Sequence, residues 1–228
     1  LYDYSLHGKP IVMDLSGKDD LAAAWKTYVN PGEKVAVKFN GLFRGATTHP
    51  AVITAVTDGI VKAGVDPARI TVYDRHDKDF KTSRIAMNRD GKGVRVYGTE
   101  NAYGPAVTAG PVDTKLSKIL LEADALVNIS FLKSHSKCGI SGALKNHLGS
   151  VPNAGTFHGE CCKAVADLNT LAPIKTKTRI CLTDGLYGVY DGGPRYSPRR
   201  RWDFHGILAA TDPVALDTVL DDIIRAKR

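Results

Sequence analysis

Short apolar runs rich in β-branched residues alternate along this chain with stretches of helical periodicity. The runs with the length and composition of strands are residues 11–15, 34–39, 70–73, 93–97, 125–131, 179–182 and 206–210. The clearest helix begins at Pro50, after Thr48 or His49 as its cap, and ends before Gly64. Further helical patterns cover residues 19–29, 116–123, 141–148, 163–171 and 213–226. Because parallel strands need a crossover that is usually helical, this alternation predicts an α/β fold: a mostly parallel sheet with helices on both faces.

The composition is that of a globular protein, since 43% of the 228 residues are hydrophobic and 24% are charged. No repeat, low-complexity tract or long linker interrupts the pattern, so we expect a single domain over residues 1–228. The longest apolar stretches are strand-sized, which argues against a transmembrane helix and predicts a soluble protein. Residues 1–10 lack the basic start and apolar run of a signal peptide. The expected compartment is therefore the cytoplasm, or the periplasm if a signal peptide was removed.

The chain is basic, with a formal net charge of +7. Such a charge favours acidic small ligands, nucleic acid or anionic surfaces as partners. The usual nucleic-acid recognition motifs do not occur, so we expect an acidic small molecule instead. The sequence also has no GxSxG elbow, HExxH helix or EF-hand loop, which removes the usual signatures of serine hydrolases, zinc peptidases and calcium proteins.

In parallel α/β sheets, ligands bind beyond the carboxyl ends of the strands, in the loops that lead into helices. That rule selects the polar loops at residues 40–49, 74–79, 133–141 and 184–202. The densest is the stretch from Lys133 to His147, where a strand, a glycine-containing turn and a helix follow one another. This order presents backbone N–H groups to a phosphate or carboxylate, and Lys133, Lys137 and Lys145 add positive charge. The alternative is an ordinary turn with solvated lysines, since neither the Walker motif nor GxGxxG is present.

Two histidine and cysteine pairs have the spacing of metal ligands. They are His135-x-x-Cys138 and His158-x-x-Cys161, the second followed directly by Cys162. Imidazole and thiolate donors at this spacing are typical of structural zinc sites. An iron–sulfur cluster is a weaker option, because the usual run of ferredoxin cysteines is missing and histidines or Cys181 would have to contribute. The alternative is that the cysteines are buried, reduced and serve only in packing.

Three acidic motifs follow or flank the predicted strands. Arg75-His76-Asp77 places an imidazole and a carboxylate after a strand, with Asp77 as a helix cap in the alternative interpretation. Asp184 and Gly185 follow the sixth strand, where the carboxylate would ligate a cation, orient a histidine or make a turn. Asp212-Pro213 is interpreted as a helix cap followed by proline in the first turn.

Several motifs together resemble a known family. They are LKSH, GISGALKNHLGSVP, FHG, TDGLYGVYDGGP and ILAATDPVALD, and with them the chain resembles the family catalogued as domain of unknown function 362 over most of its length. The resemblance implies an α/β fold, association with ferredoxin-like iron–sulfur domains in other members, and export of some members. It brings no established reaction, and it emphasises the histidines rather than the cysteines. The characteristic family positions are Lys133, His135, Lys145, Asn146, Gly149, His158, Asp184, Gly185, Asp212 and Asp217.

We favour a protein that binds a small anionic ligand or a metal ion in one pocket. In its enzymatic form, His135 or His158 transfers a proton while Lys133 and Lys145 hold a carboxylate or phosphate. The other residues expected at the pocket are Asn40, Arg44, Asp74, Arg75, Asn146, Asp184 and Gly185. The metal would be zinc or iron, or an iron–sulfur cluster, held by His135, Cys138, His158, Cys161 and Cys162. The alternative is a non-catalytic structural or assembly module that delivers electrons or metal to a ferredoxin-like partner, or forms a homo-oligomer through its tyrosine-rich loop.

Overall fold

A mixed sheet with helices around it forms the centre of the protein. The computed structural model describes residues 9–159 and 162–228. The strands are β1 (Val35–Lys38), β2 (Ile70–Tyr73), β3 (Arg95–Val96), β4 (Tyr103–Ala109), β5 (Val112–Ser117), β6 (Ala125–His135), β7 (Gly139–Ile140), β8 (Thr178–Val189), β9 (Arg201–Trp202) and β10 (Gly206–Ala210). Within the described residues the main sheet has eight strands in the path β10-β8-β6-β1-β2-β3, with β7 beside β6 and β9 beside β8. The neighbours from β8 to β3 are parallel and the additions β7, β9 and β10 are antiparallel, so the predicted α/β class is confirmed.

Some of the helices begin at a residue whose side chain accepts a backbone N–H bond, and others begin without such a cap. They are α1 (Ile11–Ser16), α2 (Leu21–Lys26), α3 (Pro50–Lys62), α4 (Asp77–Ser83), α5 (Lys118–Glu122), α6 (Ala143–Asn146), α7 (Ala164–Thr170), α8 (Ala172–Lys175) and α9 (Pro213–Lys227). As predicted, α3 starts after His49 with Pro50 in its first turn, and Asp212 caps α9 by accepting N–H bonds from Val214 at 2.7 Å and Ala215 at 3.2 Å. Among the described residues, no helix has the length and apolar character needed to span a bilayer.

Strand β1 is buried on both faces, which explains its continuous apolar sequence. Val35 and Val37 pack into the cluster formed with α2 and α3, whereas Ala36 points to the opposite cluster, formed with α5 and α7. All of its residues are buried, as expected for a central strand covered by helices on both sides. The carboxyl ends of β1, β2 and β6 therefore meet at one edge of a rigid, two-sided core, and the polar residues that follow them are held close together.

Two predictions of secondary structure are wrong. Residues 11–15 form α1 rather than a strand, because a short apolar run fits either element and here Gly17 ends a helix in the left-handed conformation. The predicted helix 116–123 is shortened to α5, since residues 112–117 pair with β4 in a hairpin that the sequence analysis missed. Helix α4 begins after His76, where the alternative interpretation placed a helix capped by Asp77. The last predicted strand, β10, has the expected bounds and runs antiparallel.

Candidate functional site

A cavity of about 330 Å³ opens at the carboxyl ends of β1, β2 and β6. This is the position that the topology of a parallel sheet favours for ligand binding. The loops after these strands and the segment from α6 to residue 158 form its walls. Its lining residues are Lys38, Asn40, Leu42, Phe43, Asp74, Arg75, Asp79, His135, Ser136, Lys137, Lys145, Asn146, Leu148, Gly149, Ala154, His158 and Pro194.

A buried ion pair forms the floor of the cavity. Lys38 at the end of β1 and Asp74 just after β2 are adjacent because these strands are paired, and Lys38 Nζ lies 2.8 Å from Asp74 Oδ1. Lys38 also donates to the Phe39 carbonyl, and Asp74 accepts N–H bonds from Gly41 and Arg75, each at 2.8 Å. Burial lowers the pKa of Lys38, and the charge of Asp74 opposes that shift. Asp74 therefore has three protein donors, one of which is the ammonium group of Lys38.

A chain of amide groups connects the floor to Lys133. Lys133 Nζ donates to Asn40 Oδ1 at 2.7 Å and to the Ala46 carbonyl at 2.6 Å. Asn40 Nδ2 donates to Asn146 Oδ1 at 3.1 Å, and Asn146 Nδ2 donates to Asn128 Oδ1 at 2.7 Å. Burial, with the charge of Lys145 second, lowers the pKa of Lys133 to about 7. Lys133 therefore anchors the loop after β1, and it does not line the cavity as the sequence analysis had expected.

Two cations, Arg75 just after β2 and Lys145 in α6, line the cavity, and neither has an acidic partner among the described residues. The Lys145 ammonium group makes no hydrogen bond or ion pair with the described residues, and burial lowers its pKa to about 8. Arg75 Nε is buried and makes no hydrogen bond within the same residues. The acidic side chains of the described lining are Asp74, which pairs with Lys38, and Asp79, which accepts an N–H bond from His76 at 3.1 Å. The cavity therefore has positive charge that its own carboxylates do not neutralise.

Two stacked imidazoles lie beside Lys145. The rings of His135 and His158 are 5.3 Å apart between centroids, with 15° between their planes. Burial lowers the pKa of His135 to about 3, and the charge of Lys145 acts in the same direction. Burial lowers the pKa of His158 as well, again with Lys145 contributing. His135 Nδ1 accepts N–H bonds from Lys137 at 3.2 Å and Cys138 at 3.3 Å, so the neutral ring carries its proton on Nε2.

The sulfur atom of Cys138 completes a group that could hold a metal ion. One donor atom from each of His135, Cys138 and His158 lies within 4.8 Å of the other two. The expected alternative of reduced packing cysteines is wrong for Cys138 and Cys162, which form a disulfide with 5.5 Å between their Cα atoms. Cys161, also expected as a ligand, lies outside the described residues. Cys181 is a buried free thiol in the core, and burial raises its pKa to about 12.

The family model described as domain of unknown function (DUF362) matches residues 35–221, a span that includes every residue lining the cavity. The chain belongs to the DUF362 family. The sequence resemblance is thereby confirmed.

Two known proteins are similar to this DUF362 chain. The thylakoid-associated protein sll1697 of Synechocystis sp. is 27% identical, over 87% of this chain and 65% of its own length. The lactate racemase apoprotein of Thermoanaerobacterium thermosaccharolyticum has a similar fold, with a TM-score of 0.56 and 13% identity. That match covers 93% of this chain and 54% of the racemase. At this level of identity the second similarity shows the fold alone, and the chain spans less than two thirds of either protein.

Some DUF362 positions have a structural role outside the cavity. Asp184 is fully buried, and its Oδ2 accepts bonds from His49 N and His49 Nδ1, each at 2.7 Å. Its Oδ1 accepts from Leu186 N at 3.1 Å. Of the expected roles for Asp184, orienting a histidine agrees with these contacts. Gly185 pairs with Gly206 in the sheet, and Arg44 is exposed and away from the described lining.

The predicted anion site at the start of α6 is wrong, because the protein's own carboxylate occupies it. Asp217 of α9 accepts N–H bonds from Ala143 at 2.6 Å and Leu144 at 3.0 Å. A side chain on Gly142 would overlap this carboxylate, which explains a glycine there. Burial raises the pKa of Asp217 to about 6. Positive charge for an anion must therefore come from side chains rather than from this helix terminus.

Of the motif Arg75-His76-Asp77, the first residue belongs to the cavity and the other two stabilise the fold around it. Arg75 lines the cavity, but the expected cap role belongs to His76 rather than Asp77. The Asp77 carboxylate accepts N–H bonds from Gly98 at 2.8 Å and Arg89 at 3.1 Å. Sequence reasoning missed Lys38, although a lysine ending the apolar strand VAVK was an available signal.

Proposed function

We propose that this DUF362 protein binds a small ligand carrying a carboxylate or phosphate group, held between Arg75 and Lys145. One observation carries the proposal: both cations line the same cavity, and neither has an acidic partner among the described residues. Charge-assisted hydrogen bonds to such an anion are worth about 1.5–3 kcal/mol each. An anion would also favour the charged form of Lys145, which burial disfavours.

Apolar residues in the cavity lining support an organic ligand rather than a bare inorganic ion. Leu42, Phe43, Leu148 and Pro194 contribute apolar surface to the lining. A cavity lined by both charged and apolar side chains suits a ligand that has an acidic group and a carbon skeleton. The ligand we expect is therefore a small organic acid or phosphate ester.

In the enzymatic form of this proposal, His135 and His158 act on the bound ligand. Both imidazoles line the cavity and are stacked beside Lys145. Because burial lowers the pKa of His135 to about 3, the ring is neutral near pH 7. Its Nδ1 accepts the backbone N–H groups of Lys137 and Cys138, so the ring would have to give up these bonds to accept a proton from the ligand. A bound anion would raise that pKa and so strengthen the ring as a base. We assign no reaction class.

Calorimetric titration with inorganic phosphate and with oxalate tests the anion site. Lys145→Ala and Arg75→Ala should each weaken binding tenfold or more, because each variant removes one charge-assisted contact. Lys26→Ala is the matched control, since Lys26 is exposed on α2 and does not line the cavity. Wild-type affinity for both anions in both cavity variants would contradict the proposal.

A metal ion at His135, Cys138 and His158 is the second candidate, favoured by the close approach of their donor atoms. When the disulfide is reduced, Cys162 is available as a fourth donor beside Cys138. Two imidazoles and two thiolates match the ligand preferences of zinc better than those of an iron–sulfur cluster. Elemental analysis and an absorption spectrum of the reduced protein test this candidate, and visible absorption by iron and sulfide would favour the cluster instead.

Assembly and compartment stay predictions. A ferredoxin-like partner, a homo-oligomer formed through the tyrosine-rich loop, and a single domain over residues 1–228 each await a direct measurement. Light scattering of the purified protein tests the oligomer, and limited proteolysis tests the single domain. Fractionation of the source cells distinguishes the cytoplasm from the periplasm.

A further inference from the structure

The geometry points to a redox switch. We propose that Cys138 and Cys162 alternate between a disulfide and two thiolate ligands of a zinc ion whose remaining ligands are His135 and His158. This inference rests on the second candidate of the proposed function, the metal ion, and is independent of the anion site.

The disulfide joins the two chain segments that carry the stacked imidazoles. Cys138 lies three residues after His135, in the turn between β6 and β7, and Cys162 lies four residues after His158. The Cys138 sulfur is within 4.8 Å of a ring nitrogen from each histidine, and the Cys162 sulfur is bonded to it. In a tetrahedral zinc site with bonds of about 2.0–2.3 Å, neighbouring donor atoms are about 3.3–3.8 Å apart. Reduction followed by a small separation of the sulfurs would therefore bring four suitable donors around one point.

The disulfide form disfavours metal binding for a second reason, which concerns His135. The lone pair on His135 Nδ1 accepts the backbone N–H groups of Lys137 and Cys138. The proton of the neutral ring is then on Nε2, so neither nitrogen offers a free lone pair. To bind zinc, the ring must give up these backbone bonds or turn over. Oxidation thus removes both sulfur donors and leaves one imidazole engaged by the backbone.

The conversion of the two thiolate ligands into the disulfide is balanced in atoms and electrons when a small-molecule disulfide is the oxidant. One zinc-bound thiolate attacks the disulfide reagent, whose S–S bond breaks and releases one reagent thiolate. The second cysteine thiolate then attacks the mixed disulfide, forming the Cys138–Cys162 bond and releasing the other reagent thiolate. Two protein sulfurs are oxidised, two reagent sulfurs are reduced, and Zn²⁺ leaves because its sulfur ligands are gone. A dithiol reverses each step.

The test measures zinc affinity in both redox states of the full chain, by competition with a chromophoric chelator. One sample is reduced with a phosphine and the other is oxidised with oxidised dithiothreitol, with the disulfide located by peptide mapping. We expect one zinc per reduced chain and at least a hundredfold weaker binding by the oxidised chain. Cobalt added to the reduced chain should give a sulfur-to-cobalt charge-transfer band, which reports thiolate ligation directly.

Cysteine variants assign the switch to one pair. Cys162→Ser should weaken zinc binding by the reduced chain at least tenfold and make the affinity independent of oxidation. Cys161→Ser and Cys181→Ala are the controls, and both should keep the wild-type difference between redox states. If Cys161→Ser abolishes the difference, the assignment to Cys162 is overturned.

Other outcomes separate the two proposals. Equal zinc affinity in both redox states, with the Cys138–Cys162 disulfide mapped in the oxidised sample, would overturn the switch while leaving the metal candidate in place. No zinc binding in either state would overturn both the switch and the metal candidate. Phosphate titration of the same samples shows separately whether the anion site exists.

Discussion

The ion pair between Lys38 and Asp74 should contribute several kcal/mol of coupling to the stability of the fold. Lys38 is 1% exposed and Asp74 is 4% exposed, so neither charge is screened by solvent. Removing one member of such a pair leaves an uncompensated buried charge and typically costs about 3–5 kcal/mol. In Lys38→Met, Asp74 keeps the N–H donors of Gly41 and Arg75, so we expect the lower end of that range, about 3 kcal/mol.

When Asp74 is replaced instead, the loss of stability is limited because Lys38 can lose its proton. In Asp74→Asn, Lys38 can lose its proton, since burial already lowers its pKa. Holding at pH 7 a neutral amine whose ordinary pKa is 10.5 costs at most about 5 kcal/mol, at 1.36 kcal/mol per pH unit. The double variant removes both charges and should be less destabilised than the sum of the single variants by about 2 kcal/mol or more.

Urea unfolding of the four proteins of this double-mutant cycle measures the coupling. The control cycle uses the exposed pair Arg225 and Asp221 on α9, which lie 2.6 Å apart and should couple by only about 0.3–0.5 kcal/mol. If Lys38→Met and Asp74→Asn each cost less than 1 kcal/mol, and couple no more strongly than the control pair, the floor of the cavity is not a desolvated ion pair.

Three further predictions concern neighbouring residues. Gly149→Ala should destabilise the protein by about 1–3 kcal/mol, because the new Cβ would overlap the Lys38 and Asp74 side chains. Gly155→Ala is the control, since its Cβ would meet no atom within 4 Å. Equal urea midpoints for the two variants would contradict the packing argument. Burial, then the charge of Lys38, lowers the pKa of His147 to about 3, so its neutral form stabilises the fold above pH 6.5, and that contribution is lost as the pH falls toward 3. His147→Gln should therefore show a shallower loss of unfolding free energy between pH 6.5 and 4 than the wild type, and identical slopes would disprove the assignment. Asp184→Asn should lower the melting temperature but leave phosphate affinity within about twofold, because Asp184 orients His49 outside the cavity; a loss of affinity in the folded variant would return Asp184 to the ligand site.

Patterns with a fixed period could be predicted from the sequence, and they account for most of the sheet. Strand β2 has the predicted bounds, β6 and β8 contain the predicted runs, and β1 is one residue shorter at each end than the predicted run 34–39. The doubled H-x-x-C spacing also indicated that His135, Cys138 and His158 lie together, because each motif presents its side chains from one turn of chain. A run such as residues 11–15 could not be assigned in the same way, since so short a run of mostly apolar residues fits both the helical and the extended pattern.

Contacts between distant segments could not be predicted. Asp184 binds His49 across 135 positions, and Asp217 binds Ala143 across 74. Each depends on which strand lies next to which, and the order in the sheet is not encoded in local periodicity. The same limit explains why Lys133 was assigned to the ligand: the sequence shows its position after β6 but not the Asn40 and Ala46 oxygens that engage it.

Two buried or partly buried lysines, Lys133 and Lys145, differ in what surrounds their ammonium groups. Burial lowers the pKa of both ammonium groups, which means that the charged form of each is held at a cost. Lys133 offsets that cost with two strong hydrogen bonds to protein oxygens, whereas Lys145 has none among the described residues. A cation serving only the fold gains nothing from being left without a partner, because an unsatisfied charge destabilises the native state. Contacts within the described residues therefore account for the charge of Lys133 but not for that of Lys145, and the anion we propose would be a partner for it.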